Sequence, residues 1–141
     1  MSRDKGKDTT RPTDLELQVL SVLWEAGEAT VRHIRRDLPD GKPRAYTTVL
    51  SVLQGMERKG LVGHSRRGMA YVYHAAVERR KVLRPVLAEL TANLFGGRPA
   101  RVMQMLLDDA EISDRDRQEI RRLLGELDDG ASSADKKGEQ R

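Results

Sequence analysis

Residues 45–75 constrain this chain more than any other stretch. The segment AYTTVLSVLQGMERKG places Val49, Val52, Leu53 and Met56 at three- and four-residue steps, which predicts a helix with one buried face that stops at Gly60. Two short segments follow, LVGHSRR and MAYVYHA, and they read as strands of a hairpin hinged at Arg67-Gly68. The other helix positions, Thr47, Thr48, Ser51, Gln54, Gly55 and Arg58, are mostly short and polar, and the hairpin turns beside two arginines. Small hydroxyl side chains let a helix backbone approach base edges, and a cationic hairpin suits phosphates. Double-stranded DNA is therefore the expected partner.

Upstream, the pattern predicts two more helices. Thr13 followed by Glu16 has capping-box spacing, and Leu15, Val19, Leu20, Leu23 and Trp24 are periodic, so a helix is expected over residues 14–26, closed by Gly27. Thr30 caps a second, short helix over residues 31–38, with Val31, Ile34 and Leu38 at helical spacing. Pro39, Asp40, Gly41, Lys42 and Pro43 form a turn before the third helix. Three helices and a hairpin predict a winged helix-turn-helix over residues 13–76. Strand alternation is expected to point Val72 inward and to set Tyr71 and Tyr73 on the opposite face, as core rim rather than base-stacking platforms.

Beyond residue 77 the chain reads as helical and unusually apolar along its stripes. Residues 78–94 carry Val82, Leu83, Val86, Leu87, Leu90 and Leu94, with Pro85 expected to start or kink that helix. Gly96-Gly97 ends it, Pro99 suits a first helical turn, and Val102, Met105 and Leu106 form another stripe. Ser113 caps a last helix bearing Ile120, Leu123, Leu124 and Leu127. Folding back on the winged helix would cover some of this surface. Pairing of two chains would cover more and supply two reading heads, so a homodimer through Val86, Leu87, Leu90, Leu94, Val102, Met105, Leu106, Ile120, Leu123 and Leu124 is expected over residues 77–128. Residues 1–12 read as a flexible arm and 129–141 as a disordered tail. The fold class is mainly α with a small β-hairpin: a winged helix-turn-helix followed by a helical dimerisation region.

Charge distribution agrees with that division. The net charge is only +4, but residues 30–75 hold nine Lys and Arg against three acids, whereas residues 108–129 hold four Arg against nine acids. The first segment attracts a polyanion and the second repels one. Within it, Arg32, Arg44, Tyr46, Thr47, Thr48, Ser51, Arg58, Arg66 and Arg67 are the candidate DNA-binding residues. Thr47, Thr48 and Ser51 are placed nearest bases, Arg44 on a base or phosphate, and Arg66 and Arg67 on phosphate or in the minor groove, with His64 beside them. Arg32, Arg35 and Arg36 are candidates to clamp the backbone, Arg36 having Asp40 as an alternative partner.

Other classes find little footing. With 38% hydrophobic residues, one Trp and one Phe among 141 residues, a monomer's core is modest, which favours a shared interface. There is no cysteine for a disulfide or a thiolate, and no apolar run approaches the ~20 residues of a membrane span, so a cytoplasmic chain that meets no membrane is expected. His33, His64 and His74 lack zinc-site spacing, no glycine motif cradles phosphate, and no Ser has an evident His and acid. Neither catalysis, a metal nor a cofactor is expected. Two alternatives remain open: a helical module whose basic face binds an acidic protein without reading DNA sequence, and a regulator holding a small molecule between the wing and the dimer helices.

Taken together, DLELQVLSVLWEAGEATVRHIRRDL, AYTTVLSVLQGMERKGLV and GMAYVYHA resemble the penicillinase repressor family, from Thr13 to about Leu127. The resemblance implies a homodimeric transcriptional repressor whose third helix enters the major groove of a palindromic operator. Copper-responsive members carry a cysteine-rich C-terminal site, which this chain lacks. In beta-lactam-responsive members a sensor protease cuts an Asn-Phe bond after the Gly-Gly pair, and the matching place here is Gln104-Met105. Members often carry an arginine near position 50 and another near 55, where this chain has Leu50 and Gly55, so a different operator preference is implied.

Overall fold

Local signals set the first two helices of the computed structural model, which describes residues 11–109 and 111–139. Helix α1 (Asp14–Ala26) opens on a complete capping box. Glu16 N–H donates to Thr13 Oγ1 at 3.2 Å, and Thr13 N–H donates to Glu16 Oε1 at 2.9 Å. It closes at Gly27, whose φ of 83° is a conformation that a Cβ disfavours. Thr30 caps α2 (Val31–Asp37) by accepting from His33 N–H at 3.2 Å.

The turn at residues 38–45 leads into α3 (Tyr46–Arg58), and then come β2 (Val62–Arg67) and β3 (Ala70–Ala75). The hairpin is present, but it belongs to a three-stranded antiparallel sheet of order β1-β3-β2, because Glu28–Thr30 forms an extra strand, β1. Its register pairs Ala29 with Tyr73 and Thr30 with Val72. A three-residue strand has no room for an alternating pattern, so only its distant partner defines it.

That register corrects the expected facing of the wing. Tyr73, 2% exposed, lies in the core with Ala29 and Val62, while Val72 is buried outside that cluster, opposite Thr30 and Ser65. Tyr71 shares the side of Tyr73 but remains exposed near the hairpin tip. β1 and the helices therefore take up Tyr73, and the rim role falls to Tyr71 alone.

The core is built from one stripe of each helix: Val19, Leu20 and Leu23 of α1, Val31 and Ile34 of α2, and Val49, Leu53 and Met56 of α3. Val52 is half-buried against it. Glu16, at 6% exposure, is the charged residue enclosed here, and Lys59 Nζ meets its Oε2 at 2.9 Å. Burial alone would push this carboxyl up. The Thr13 and Lys59 hydrogen bonds and the Lys59 charge outweigh burial and hold it below its ordinary range.

Helix α4 (Arg79–Leu94) starts within the winged-helix unit. Trp24 Nε1 donates to the Val77 carbonyl at 2.9 Å, Arg79 pairs with Glu25 at 3.0 Å and lies 5.5 Å from the Trp24 ring centroid, and Val77 and Val82 pack on the core. Arg11 forms an ion pair with Glu89. The first compact unit consequently ends at Glu89, later in the chain than the expected boundary at 76. Pro85 lies inside α4.

The second unit begins at Leu90 and contains α5 (Pro99–Asp109) and α6 (Asp114–Glu139). Pro99 occupies the first position of α5, and Ser113 Oγ accepts from Asp116 N–H at 3.0 Å at the start of α6. α6 runs through Glu139, so the helix continues across most of the stretch expected to be a disordered tail, 129–141. Acid and base pairs one turn apart, such as Arg122 with Glu119 and Glu126, support a helix that lacks a core of its own. The expected N-terminal arm lies outside the described residues except for Arg11 and Pro12, and so do the last two residues of the tail.

Two outcomes follow. Because Glu16 titrates lower in the folded chain than when unfolded, it contributes stability that is present above its ordinary value of about 4.5 and is lost as pH falls from there through its lower folded-state value. Glu16→Gln should cost about 1–2 kcal/mol near neutral pH and flatten the acid limb, read by urea unfolding at several pH values. A chain ended after Ala76 should be less stable than one ended after Glu89 by roughly 2–3 kcal/mol, since it lacks the Val77 acceptor and Val82. Equal urea midpoints would contradict the assignment of α4 to the first unit.

Candidate nucleic-acid interface

The outer face of α3 follows from the inner one. With Val49, Leu53 and Met56 in the core, Thr47, Ser51, Gln54 and Arg58 form an exposed line along the opposite side. Tyr46 and Thr48 are exposed at the first turn. Ala45 offers that helix no side-chain cap and its first turn contains no acid, in contrast to the hydroxyl caps of α1 and α2. The α3 N-terminus therefore keeps donors and partial positive charge available to an anion.

Next to it, α2 and the following turn enclose a recess of about 270 Å³ lined by Arg32, Arg35, Arg36, Lys42 and Arg44. Its organising group is Asp40. The carboxylate accepts from Arg44 Nη1 and Nη2 at 2.9 and 2.7 Å, from Lys42 N–H at 3.0 Å and from Gln18 Nε2 at 3.2 Å. Gln18 Oε1 in return accepts from Asp40 N–H at 3.1 Å. The Arg44 hydrogen bonds, followed by the Lys42 amide and Gln18, hold the Asp40 carboxyl far below the usual carboxylate range. Arg44 is raised in turn by Asp40.

This arrangement changes the sequence assignment of two arginines. Arg44, with an 18% exposed side chain, is the bidentate partner of Asp40 and fixes the entry to α3, because Asp40 lies one helical turn earlier in the chain and its charge is satisfied there. Arg36 takes Asp37 at 2.9 Å and leaves Asp40 to Arg44. Arg35 Nε donates to the Arg44 carbonyl. The side chains of Arg32, Lys42 and Arg58 make no hydrogen bond or ion pair with a described residue, so their charges are free for another molecule. Lys42 was not among the sequence candidates, since a lysine between Gly and Pro reads as part of a turn.

The wing tip is a two-residue turn, Gly68-Met69, closed by the pair Arg67 and Ala70. Gly68 has φ 62° and Met69 a negative φ, which fits the II′ geometry that matches strand twist. Met69 is 93% exposed. Arg66 Nε donates to the Gly68 carbonyl at 3.2 Å and its guanidinium stands 5.8 Å from the Tyr71 ring, while Arg67 pairs with Glu28 at the rim. His64 Nδ1 lies 2.6 Å from Glu57 Oε1 and joins the wing to α3. Glu57 and Glu28 carry no sequence signal of these roles; both are defined by partners across the sheet or helix.

In the second unit, Leu90, Leu94, Met105, Leu106, Leu123 and Leu124 are exposed, and Val102 and Ile120 half-buried; Leu87, exposed, and Val86, half-buried, lie on the part of α4 that belongs to the first unit. The Gln104-Met105 bond lies inside α5 with both residues exposed. Among the described residues no group of three or more His, Asp or Glu is placed to hold a metal, and no helix is long and apolar enough to cross a membrane.

Comparison with known proteins agrees with this layout. The family model for the penicillinase repressor matches residues 12–126, from the cap of α1 into α6. The chain is 31% identical over 124 residues to the transcriptional regulator BlaI of Mycobacterium tuberculosis, covering 86% of this chain and 88% of that protein. It is 18% identical over 114 residues to the penicillinase repressor of Bacillus licheniformis, covering 81% and 89%. A protein of Latilactobacillus sakei described as uncharacterized is 20% identical over 119 residues, with 84% and 82% covered. A winged helix carrying a polar-faced third helix, matched over most of its length, places this chain in the penicillinase repressor family of transcriptional regulators.

Proposed function

We propose that the chain acts as a homodimer that occupies a palindromic operator in double-stranded DNA and represses transcription from it. The observation that carries this reading is the exposed line Thr47, Ser51, Gln54 and Arg58 on a helix whose other side is locked into the core. Thr47, Thr48 and Ser51 are assigned to base edges, with Tyr46 at the groove margin. Arg32, Lys42, Arg58, Arg66 and Arg67 are assigned to phosphates, and Arg44 acts through the turn that it fixes. The apolar stripes of α4, α5 and α6 supply the contact between copies. Relief by a sensor protease at Gln104-Met105 belongs to the same reading, and cutting there requires α5 to unwind locally.

Arg66→Ala with Arg67→Ala should weaken binding to specific and random duplexes alike and reduce the salt slope by about 2 if each arginine neutralises one phosphate. Thr47→Ala or Ser51→Ala should change which sequences are preferred while leaving the salt slope within about 0.5 of its starting value. Fluorescence anisotropy over a salt series reads both, and an identical loss in the two sets would end this division of labour. Leu123→Asp with Leu124→Asp should convert the dimer to monomers in analytical ultracentrifugation and lower operator affinity about 100-fold or more through loss of bivalency. Unchanged sedimentation would remove these leucines from the interface.

One observation favours a second reading, a regulator responsive to a small molecule. A cavity of about 1040 Å³ lies between Leu61, residues 76–78 and the first half of α4, floored by Val77, Val82, Pro85 and Val86 and edged by Lys81 and the Arg11–Glu89 pair. An operator affinity that responds to a metabolite extract, and loses that response on Val82→Trp, would support it.

A further inference from the structure

His64 occupies the junction between the wing and the recognition helix. Its Nδ1 is 2.6 Å from Glu57 Oε1, its ring meets Tyr71 edge-on at 5.2 Å between centroids, and it lies tilted over Tyr73 at 5.4 Å. Tyr73 is enclosed in the core, so His64 stacks on a fixed support. Glu57 is the single carboxylate of α3, and its side chain is 38% exposed.

The charge pattern around it is regular. Residues 30–75 contain three acids, and each has a basic partner: Asp37 meets Arg36 and His33, Asp40 meets Arg44, and Glu57 meets His64. For Asp37 and Asp40 an arginine supplies permanent positive charge. Glu57 alone depends on an imidazole, a group whose charge ordinarily changes between about pH 5 and 8. Polar and charged groups near His64 include the phenols of Tyr71 and Tyr73 on β3 and the Arg66 guanidinium over the Tyr71 ring, with Tyr46 of α3 acting on Tyr73; burial, followed by the nearby Glu57, pushes the Tyr73 phenol up, and His74 projects from the opposite sheet face, opposite Gly63.

We propose that His64 is a positioning residue of the DNA interface, tying the wing to the recognition helix through Glu57 and, when protonated, cancelling the carboxylate that this helix would otherwise bring toward phosphate. The inference rests on the DNA-binding reading above and adds to it a pH dependence carried by one pair. Protonated, the pair is neutral overall and charge-assisted, which holds the wing. Deprotonated, the imidazole can still donate from Nδ1, but the pair then carries the net negative charge of Glu57, which weakens the attraction of the basic reading head for phosphate.

The test begins with duplexes that the full-length chain selects from a random library at about pH 6, near the ordinary histidine value. Affinity of the preferred duplex is then measured at constant salt from about pH 5.5 to about pH 8, for the wild-type chain, His64→Gln and Glu57→Gln. Wild-type affinity should fall as pH rises, by about two- to fivefold per head, the worth of one exposed ion pair. His64→Gln should lose the share of this fall that the pair carries and bind weakly throughout, whereas Glu57→Gln should bind more tightly than the wild-type chain throughout and keep a fall, because its imidazole still sheds one positive charge. His33 and His74 are the same residues in all three chains, so the difference between profiles reports on the pair.

Three parallel profiles would overturn the proposal, as would equal weakening by both variants at every pH, which is the mark of a purely structural contact. Urea unfolding of each variant checks that weak binding is not unfolding. Recovery of no preferred duplex would remove the DNA-binding reading along with this one, whereas a preferred duplex with parallel profiles removes only the role of His64.

Discussion

Burial of Val49, Leu53 and Met56 of α3 against α1 and α2 is the contact on which the remaining organisation depends. A helix of 13 residues has marginal stability alone, and the core supplies what its propensity does not. Once that stripe is enclosed, the helix cannot rotate without exposing it, so the hydroxyl and amide side chains on the other side are held outward by the same packing. The Lys59–Glu16 ion pair closes the far end of α3 onto the start of α1, where Glu16 also completes a helix cap. One carboxylate thereby fixes two elements.

Electrostatics divide the basic residues into two groups. Arg44 and Arg36 are occupied by Asp40 and Asp37 and shape the turn before α3, whereas Arg32, Lys42 and Arg58 have no partner among the described residues. Counting cations along the chain overstates the charge available to a polyanion, because satisfied arginines are worth less to a phosphate than free ones. The turn itself is held by Gln18 of α1, which exchanges two hydrogen bonds with Asp40. Correct placement of the α3 N-terminus therefore depends on a glutamine that no binding motif would single out.

Helix α4 belongs to the winged-helix unit through Trp24, Val77 and Val82 and then leaves it. Its first half is secured by a half-buried indole and a cavity-lining face, and its last turn carries Leu94 into a unit whose leucines are largely uncovered. A stretch with so many exposed leucines and so many intrahelical ion pairs is suited to a partner rather than to isolation in water.

By itself the sequence determined what acts within a helical turn or between adjacent residues: the Thr13–Glu16 box, the Gly27 stop, the Thr30 and Ser113 caps, Pro99 at a helix start and the Gly68 hairpin turn. These are governed by backbone dihedrals and hydrogen bonds spanning three or four residues, and they leave a local pattern that can be read. The helical period of α3 likewise separated its inner from its outer positions. Tertiary structure alone decided that Glu28–Thr30 pairs with β3, that Tyr73 rather than Val72 enters the core, that Arg44 serves Asp40, and that Glu57 meets His64. The length of α6 past residue 129 was also hidden, because polar and glycine-containing composition argues for disorder. Most of these outcomes depend on which side chains become neighbours after the chain has closed, and the energy of a hydrogen bond or ion pair is set by that distance, not by separation along the sequence.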